Sequence, residues 1–368
     1  MSVDPSQFEG RTFDGGSTTL EPWLAYLWTD ATADSTAVSA AETGWNAPPS
    51  IAVAIAREAA VSSTIEETLR GDDWSDLSVF LGGHRFSFAR PIRVGETYEA
   101  QATVTDVTHV SRDRGSFHVV TVTYDVTTDD GEPAYDLETD LIVRGDDGGE
   151  DQSGGDGGDQ SSGEGENQSS GEGENQSSGE GENQSSGEGE NQSGDENSRR
   201  PADDDAESRP TQTVPTDRDG LSVGDTIARR EIDVDPSGMQ LLSAVLRDPN
   251  PIHFDPAYAE TRGHSGRVNQ GPINAEYLAQ TALEIGESPA DLRTLDVRYE
   301  SFVHETDTVT TTATLAGIDH EASTVELELT AWTADGTIAV TGAAVVAPRL
   351  DRLDSVADRS GSGDDLGR

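Results

Sequence analysis

The pattern of apolar and polar positions is clearest near the end of the chain. Val309, Thr311, Ala313 and Leu315 alternate with polar neighbours, as do Val325, Leu327, Leu329 and Ala331, with Glu326, Glu328 and Thr330 facing water. A period of two predicts half-buried strands. Asp335-Gly336 then predicts a hairpin turn into a last strand over residues 337–347. Ahead of these strands, residues 272–285 predict a helix, with Pro272 in its first turn, Ile273, Tyr277, Leu278, Ala282 and Ile285 clustered on one face, and Gly286 as its stop.

The first part of the chain repeats this order. A helix is expected from Pro48 to about Arg70, then alternation at Tyr98, Ala100, Ala102 and Val104, again at Val120, Val122, Tyr124 and Val126, then Asp130-Gly131 and a last strand to Val143. A shift of 211 lays Tyr98 on Val309, and a shift of 205 lays Val120 on Val325, so the chain contains an internal duplication. A long helix followed by an antiparallel sheet is an α+β arrangement in which the helix covers the apolar face. Two such units docked side by side would each cover one open edge of the other.

Between the two units the composition collapses to Gly, Ser, Glu, Asp, Asn and Gln, and SSGEGENQ occurs four times in succession between Ser161 and Gln192. Such a segment buries too little apolar surface to offset its ordering entropy, which predicts a disordered linker. The expected organisation is one unit over residues 1–145, a linker over 146–220, a second unit over 221–348 and a polar tail over 349–368.

Charge narrows the chemistry. The 368 residues carry 71 acids against 24 basic residues, all of them Arg, and there is no Cys. Without Lys or Cys there is no Schiff-base lysine, Walker lysine, thiolate nucleophile or disulfide. A net charge of −47 excludes nucleic acid and anionic membrane surfaces as natural partners. The linker holds 22 acids and 4 Arg, which leaves −29 on the rest, so the folded part is acidic as well. An acidic, lysine-free surface fits the cytoplasm of a halophile, where molar salt screens self-repulsion. The first residues lack a signal-peptide pattern and no 18-residue apolar run occurs, so a soluble cytoplasmic protein is expected.

One segment carries candidate chemistry. Asp235 and Pro236 predict the cap and first turn of a short helix through Met239, Leu242, Val245 and Leu246. It must end there, because Asp248-Pro249-Asn250-Pro251-Ile252-His253-Phe254-Asp255-Pro256 contains three prolines, each biasing its predecessor away from helix. A rigid loop thus presents a carboxylate and an imidazole five residues apart, although Asp, Asn and Pro are also ordinary turn formers. Asp-x-Asn-Pro-x-His, followed by Gly271 at the start of the long helix, resembles the hydratase motif of the MaoC-like, or (R)-specific enoyl-CoA hydratase, family. In the first unit, Ala47-Pro48-Pro49 and the stretch Gly83-His84-Arg85-Phe86-Ser87-Phe88-Ala89-Arg90-Pro91-Ile92 resemble the N-terminal dehydratase half of double hot-dog proteins. That half lacks the motif and is expected to be scaffold and substrate wall. Two positions depart from the family pattern: Arg247 stands where Gly usually precedes the Asp, and Gln270-Gly271 where a His-Gly pair often opens the helix.

The resemblance implies two hot-dog folds and reversible hydration of a 2-enoyl-CoA to an (R)-3-hydroxyacyl-CoA. Asp248 would be the base and His253 its partner on one water, with Asn250 supporting the loop or the water and Gln270 and Gly271 beside the oxyanion. No cofactor is expected, since coenzyme A is part of the substrate, and no metal. Arg262 and Arg267, and Arg90 and Arg93, lie in acid-free windows and are candidates for the coenzyme A phosphates. A mesaconyl-CoA-type substrate whose second carboxylate pairs with Arg247, a hot-dog thioesterase, and a non-catalytic acyl-CoA-binding protein are the alternatives. Assembly into a homo-oligomer stays open.

Overall fold

The computed structural model describes residues 4–34, 45–59, 77–112, 115–145, 221–248 and 250–347. The expected linker, the tail and the second part of the first long helix lie outside these residues. The first half runs β1 (Thr12–Thr19), α1 (Pro22–Ala31), α2 (Ala52–Ala59), β2 (Leu77–Phe88), β3 (Thr97–Arg112), β4 (Gly115–Thr128) and β5 (Pro133–Gly145). The second runs β6 (Thr226–Asp233), α3 (Pro236–Val245), α4 (Pro256–Thr261), α5 (Gly271–Ala282), β7 (Leu292–Tyr299), β8 (Thr308–Asp319), β9 (Thr324–Thr333) and β10 (Ile338–Val346).

All ten strands form one sheet in the order β1-β3-β4-β5-β2-β7-β10-β9-β8-β6. Read outward from the centre, the two halves have the same order, which is the duplication expressed as topology. They join where β2 pairs antiparallel with β7, from Gly83 opposite Arg298 to Ser87 opposite Thr294. Each half thereby hides one edge against the other. The hairpin glycines take the left-handed backbone expected of Asp-Gly turns, Gly131 at φ 83° and Gly336 at φ 88°.

The inner face of the sheet wraps the helices. Val309, Ala313, Leu315, Val325, Leu327, Leu329 and Ala331 are all buried, as the alternation required. A 3-10 turn over Pro49–Ile51 leads into α2, and a 3-10 turn over Leu283–Ile285 closes α5 at Gly286. Every residue of α5 from Pro272 to Ala282 is buried. That includes Asn274, Glu276, Gln280 and Thr281, whose polar atoms bond to other elements: Thr281 Oγ1 lies 2.6 Å from Thr311 Oγ1, and Gln280 Nε2 donates to Thr32 O at 3.2 Å. A helix buried on every side has no solvent face, so a single apolar face was too narrow an expectation.

The duplication extends to the helices ahead of the sheet. α1 and α3 each open with Pro at the first position, and a shift of 214 lays Asp34 on Asp248. The backbone repeats in detail: Asp34 N–H donates to Thr29 O at 3.0 Å and Asp248 N–H to Ser243 O at 2.9 Å, while the preceding residues, Ala33 and Arg247, have φ of 51° and 50°. α1 and α3 cross closely at Gly238, where a Cβ would stand 2.6 Å from Ala31 O. Only glycine permits that approach.

Candidate functional site

The loop after α3 is shaped by its own polar side chains. Asp248 accepts the N–H of Asn250 at 3.0 Å through Oδ1, and Asn250 Oδ1 accepts the N–H of Ile252 at 3.3 Å. These are Asx turns, for which Asp and Asn are the suited residues. Asn250 thus caps the 3-10 turn Pro251–His253 and holds the loop. The loop docks on the segment before α5 through Val268 N–H, which donates to Ile252 O at 2.9 Å.

The same segment orients the imidazole. His253 Nδ1 lies 2.7 Å from Val268 O, and since a carbonyl only accepts, Nδ1 carries the proton. In the neutral form of the ring Nε2 is an acceptor. Nε2 stands 3.5 Å from Asp248 Oδ2, with the two side chains 12% and 24% exposed. Two acceptors at that separation do not bond to each other; they frame a position where one water could donate a proton to each. Oδ2 remains available because the loop's hydrogen bond to Asn250 is made through Oδ1.

The side chains behind three expectations have protein partners in the structure. Gln270 Nε2 donates to Met239 O at 2.8 Å and to Ser243 Oγ at 2.7 Å, so both amide hydrogens tie the start of α5 to α3. Arg247 Nη2 pairs with Glu58 Oε1 at 2.8 Å, with a side chain 77% exposed, and is engaged away from the loop as a partner for a substrate carboxylate. Its left-handed backbone explains why glycine suits this position. The arginine windows are acid-free in sequence but not in space. Arg267 Nε donates to Glu305 Oε2 at 2.7 Å, and Arg90 Nη2 to Glu96 Oε1 at 2.8 Å, with Arg93 3.9 Å from the same carboxylate. The bridge of Arg93 to Asn46 is the first half's counterpart of the bridge of His304 to Val268, so the structure does not bring Arg90 and Arg93 to the Asp248 loop. Arg262, exposed after α4 with its guanidinium 5.2 Å from the Tyr258 ring centre, stays a phosphate candidate.

At the start of α5, Ile273 and Asn274 donate to Gln270 O and Pro272 has no N–H, which leaves the Gly271 N–H as the orphan donor of the helix N-terminus. A Cβ on Gly271 would stand 2.4 Å from Leu81 Cδ2 and 2.9 Å from Tyr299 Cζ. The glycine therefore admits two neighbours, one from each half. Sequence reasoning missed Tyr299, which ends β7 with no motif around it, and missed the depth of His84, which is 3% exposed. Burial and the charge of Arg57 push His84 down to about 3. Also missed was Glu276, fully buried in α5, whose Oε2 accepts the N–H of Ser50 at 2.9 Å. Among the described residues no group of three His, Asp or Glu is arranged to hold a metal ion, and no helix is long and apolar enough to cross a membrane.

Two sheets made continuous, each wrapped on a central helix, define a double hot-dog protein. Residues 29–137 match the model of the FAS1-like dehydratase domain region, and residues 222–334 that of the MaoC like domain. The chain thus joins a FAS1-like dehydratase region to a MaoC-like domain on a double hot-dog fold. A solved MaoC-like dehydratase superposes with TM-score 0.64 at 16% identity, over 93% of this chain and 99% of that one. A MaoC-like dehydratase of Phytophthora capsici gives 0.57 at 14%, over 94% and 97%. A double hot-dog protein of Mycobacterium tuberculosis gives 0.54 at 14%, over 92% and 96%. At these identities the likeness is one of fold. Comparison with curated protein sequences finds no match.

Proposed function

We propose that the chain is a hydro-lyase that adds water reversibly across the double bond of a 2-enoyl-CoA, giving the (R)-3-hydroxyacyl-CoA. The observation that carries the reading is the pair of acceptors, Asp248 Oδ2 and His253 Nε2, 3.5 Å apart with the His tautomer fixed by Val268 O. A water donating to both has its lone pair free for the β-carbon. As its oxygen bonds there, the π electrons shift to the α-carbon and the thioester oxygen takes up negative charge. One water proton passes to the Asp–His pair and a proton is delivered from it to the α-carbon; the other water proton stays in the new hydroxyl. The orphan Gly271 N–H at the start of α5 is the proposed donor to the thioester oxygen. Arg262 is the proposed contact for a coenzyme A phosphate. Coenzyme A is part of the substrate and the reaction uses no further cofactor.

The test is a panel of trans-2-enoyl-CoA esters in molar KCl. Loss of enoyl absorbance, with a chiral 3-hydroxyacyl product and no free thiol, is the expected result. Release of thiol without hydration would make the protein a thioesterase, and binding without either reaction would make it an acyl-CoA-binding protein.

A further inference from the structure

The two halves provide an internal control for what the functional half requires. A shift of 211 relates β2 to β7 and the turns that follow: Ala89 N–H donates to Ala134 O, and Glu300 N–H to Ala339 O, at the same place in each half. Under this shift Tyr299 corresponds to Phe88 and His84 to Leu295. The pair Phe88 and Leu295 is apolar. The pair Tyr299 and His84 has the same framework but carries a phenolic hydroxyl and an imidazole nitrogen, on the side where the catalytic loop and Gly271 lie.

Among the described residues those two polar atoms have no hydrogen-bond partner. The Tyr299 hydroxyl and His84 Nε2 are each fully enclosed and make no hydrogen bond within the described residues, while His84 Nδ1 faces Thr139 Oγ1 at 3.1 Å. The rings meet edge to face at 5.9 Å. Tyr299 Cζ, the carbon that bears the hydroxyl, is the atom nearest Gly271 after Leu81 Cδ2, so the phenol tip stands beside the first residue of α5. A buried polar atom left without a partner destabilises the fold, because its hydration is lost and nothing replaces it. Two of them on one side of the seam, with apolar counterparts on the other, mark a place that something polar fills.

We propose that Tyr299 and His84 form an acyl subsite that recognises an uncharged oxygen substituent, a hydroxyl or keto group, on the acyl chain of the enoyl thioester. The phenol donates to the substituent oxygen, and the imidazole nitrogen accepts from a hydroxyl. Burial holds both groups neutral: it pushes the Tyr299 hydroxyl well above the ordinary phenol value, and together with Arg57 it pushes His84 down to about 3. A neutral enclosed pair gives a carboxylate little to replace its lost hydration, so the subsite rejects dicarboxylic acyl groups. This inference rests on the hydratase reading for the place of the thioester at α5.

The experiment compares two enoyl-CoA esters of equal chain length, one plain and one with a terminal hydroxyl, over several chain lengths. Binding is measured by calorimetry in molar KCl on the whole chain, in the natural protein and in Tyr299→Phe and His84→Leu, which carry the residues of the other half. At the best chain length the natural protein binds the hydroxylated ester about tenfold or more tightly, and each variant brings the ratio of affinities towards one. Equal affinities in the natural protein, or a ratio that both folded variants preserve, overturns the proposal. Should His84→Leu fail to fold, Tyr299→Phe alone decides, since it removes one oxygen. Turnover is read separately: selective binding without hydration would sink the hydratase reading and leave the subsite standing, and hydration without selectivity would do the reverse.

Discussion

Glu276 offers a test that needs no substrate. Its carboxyl is buried in α5, takes the N–H of Ser50 on Oε2, and has Oε1 enclosed without a hydrogen bond among the described residues. Burial, then the nearby charge of Asp34, pushes it from 4.5 up to about 8, against smaller opposing effects of Ser50 and Arg230. Below about pH 4.5 the folded and unfolded chains both hold the proton. Between about 4.5 and 8 the unfolded chain releases it while the folded chain keeps it, so stability falls as pH rises; above about 8 the loss is complete. With about 1.4 kcal/mol for each unit, a rise of about three and a half units sets an upper limit near 5 kcal/mol. Glu276→Gln keeps an acceptor for Ser50 and removes the ionisation. Denaturant titrations of both proteins from pH 5 to 9 in molar KCl should show the natural chain losing a few kcal/mol relative to the variant, most of it before pH 8. Curves that stay parallel across that range would refute the claim that the carboxyl is held protonated.

Asp248→Asn, which keeps the shape of the loop and removes the base, should lower turnover about 10² to 10⁴-fold without changing the melting temperature, and His253→Gln should cost a similar factor. The double variant should lose much less than the product of the two, since both side chains act on one water; full multiplicativity in steady-state kinetics would argue against a shared water. Gly271→Ala drives a methyl into Leu81 and Tyr299 and should lower stability by about 1–3 kcal/mol as well as activity, measured by denaturation and by the hydration assay. Arg262→Ala should raise KM for the coenzyme A ester while leaving a truncated thioester without the nucleotide unaffected; equal effects on both would remove Arg262 from the phosphate contact.

Much of the second half was legible because its strands are half-buried and its helix starts and stops carry Pro and Gly. Tyr98 to Val104 and Val309 to Leu315 read as strands for the same reason. β1 was not legible: Thr12–Thr19 contains two glycines and almost no apolar residue, and is a strand only because β3 offers it hydrogen bonds. The loop from Asp248 to His253 could be read because the prolines in and after it leave its backbone little freedom. What escaped is what depends on distant residues: Glu305 on Arg267, Glu58 on Arg247, and the polar contacts that let α5 bury Glu276 and Gln280. Asp34 could have been found, since Pro22 and Asp34 have the spacing of Pro236 and Asp248. The duplication hides it, because the helices repeat at 214 and the strands at 211 and 205.

The seam between β2 and β7 has a consequence for how the chain is made. Its paired residues, such as Phe86 and Leu295, are about two hundred positions apart, so a ribosome adding about 5–20 residues per second finishes β5 roughly ten to thirty seconds before β7 is complete. For that interval β2 is a long edge strand beside the apolar side chains of its own half, the kind of surface that pairs with a second copy. The strand next to it answers this hazard. Glu138 and Asp140 on β5 flank the outer face of β2 and outnumber the one Arg85 they bind, so two waiting halves approach with like charge. The acidity of this face thus keeps unfinished copies apart, most weakly where salt is highest.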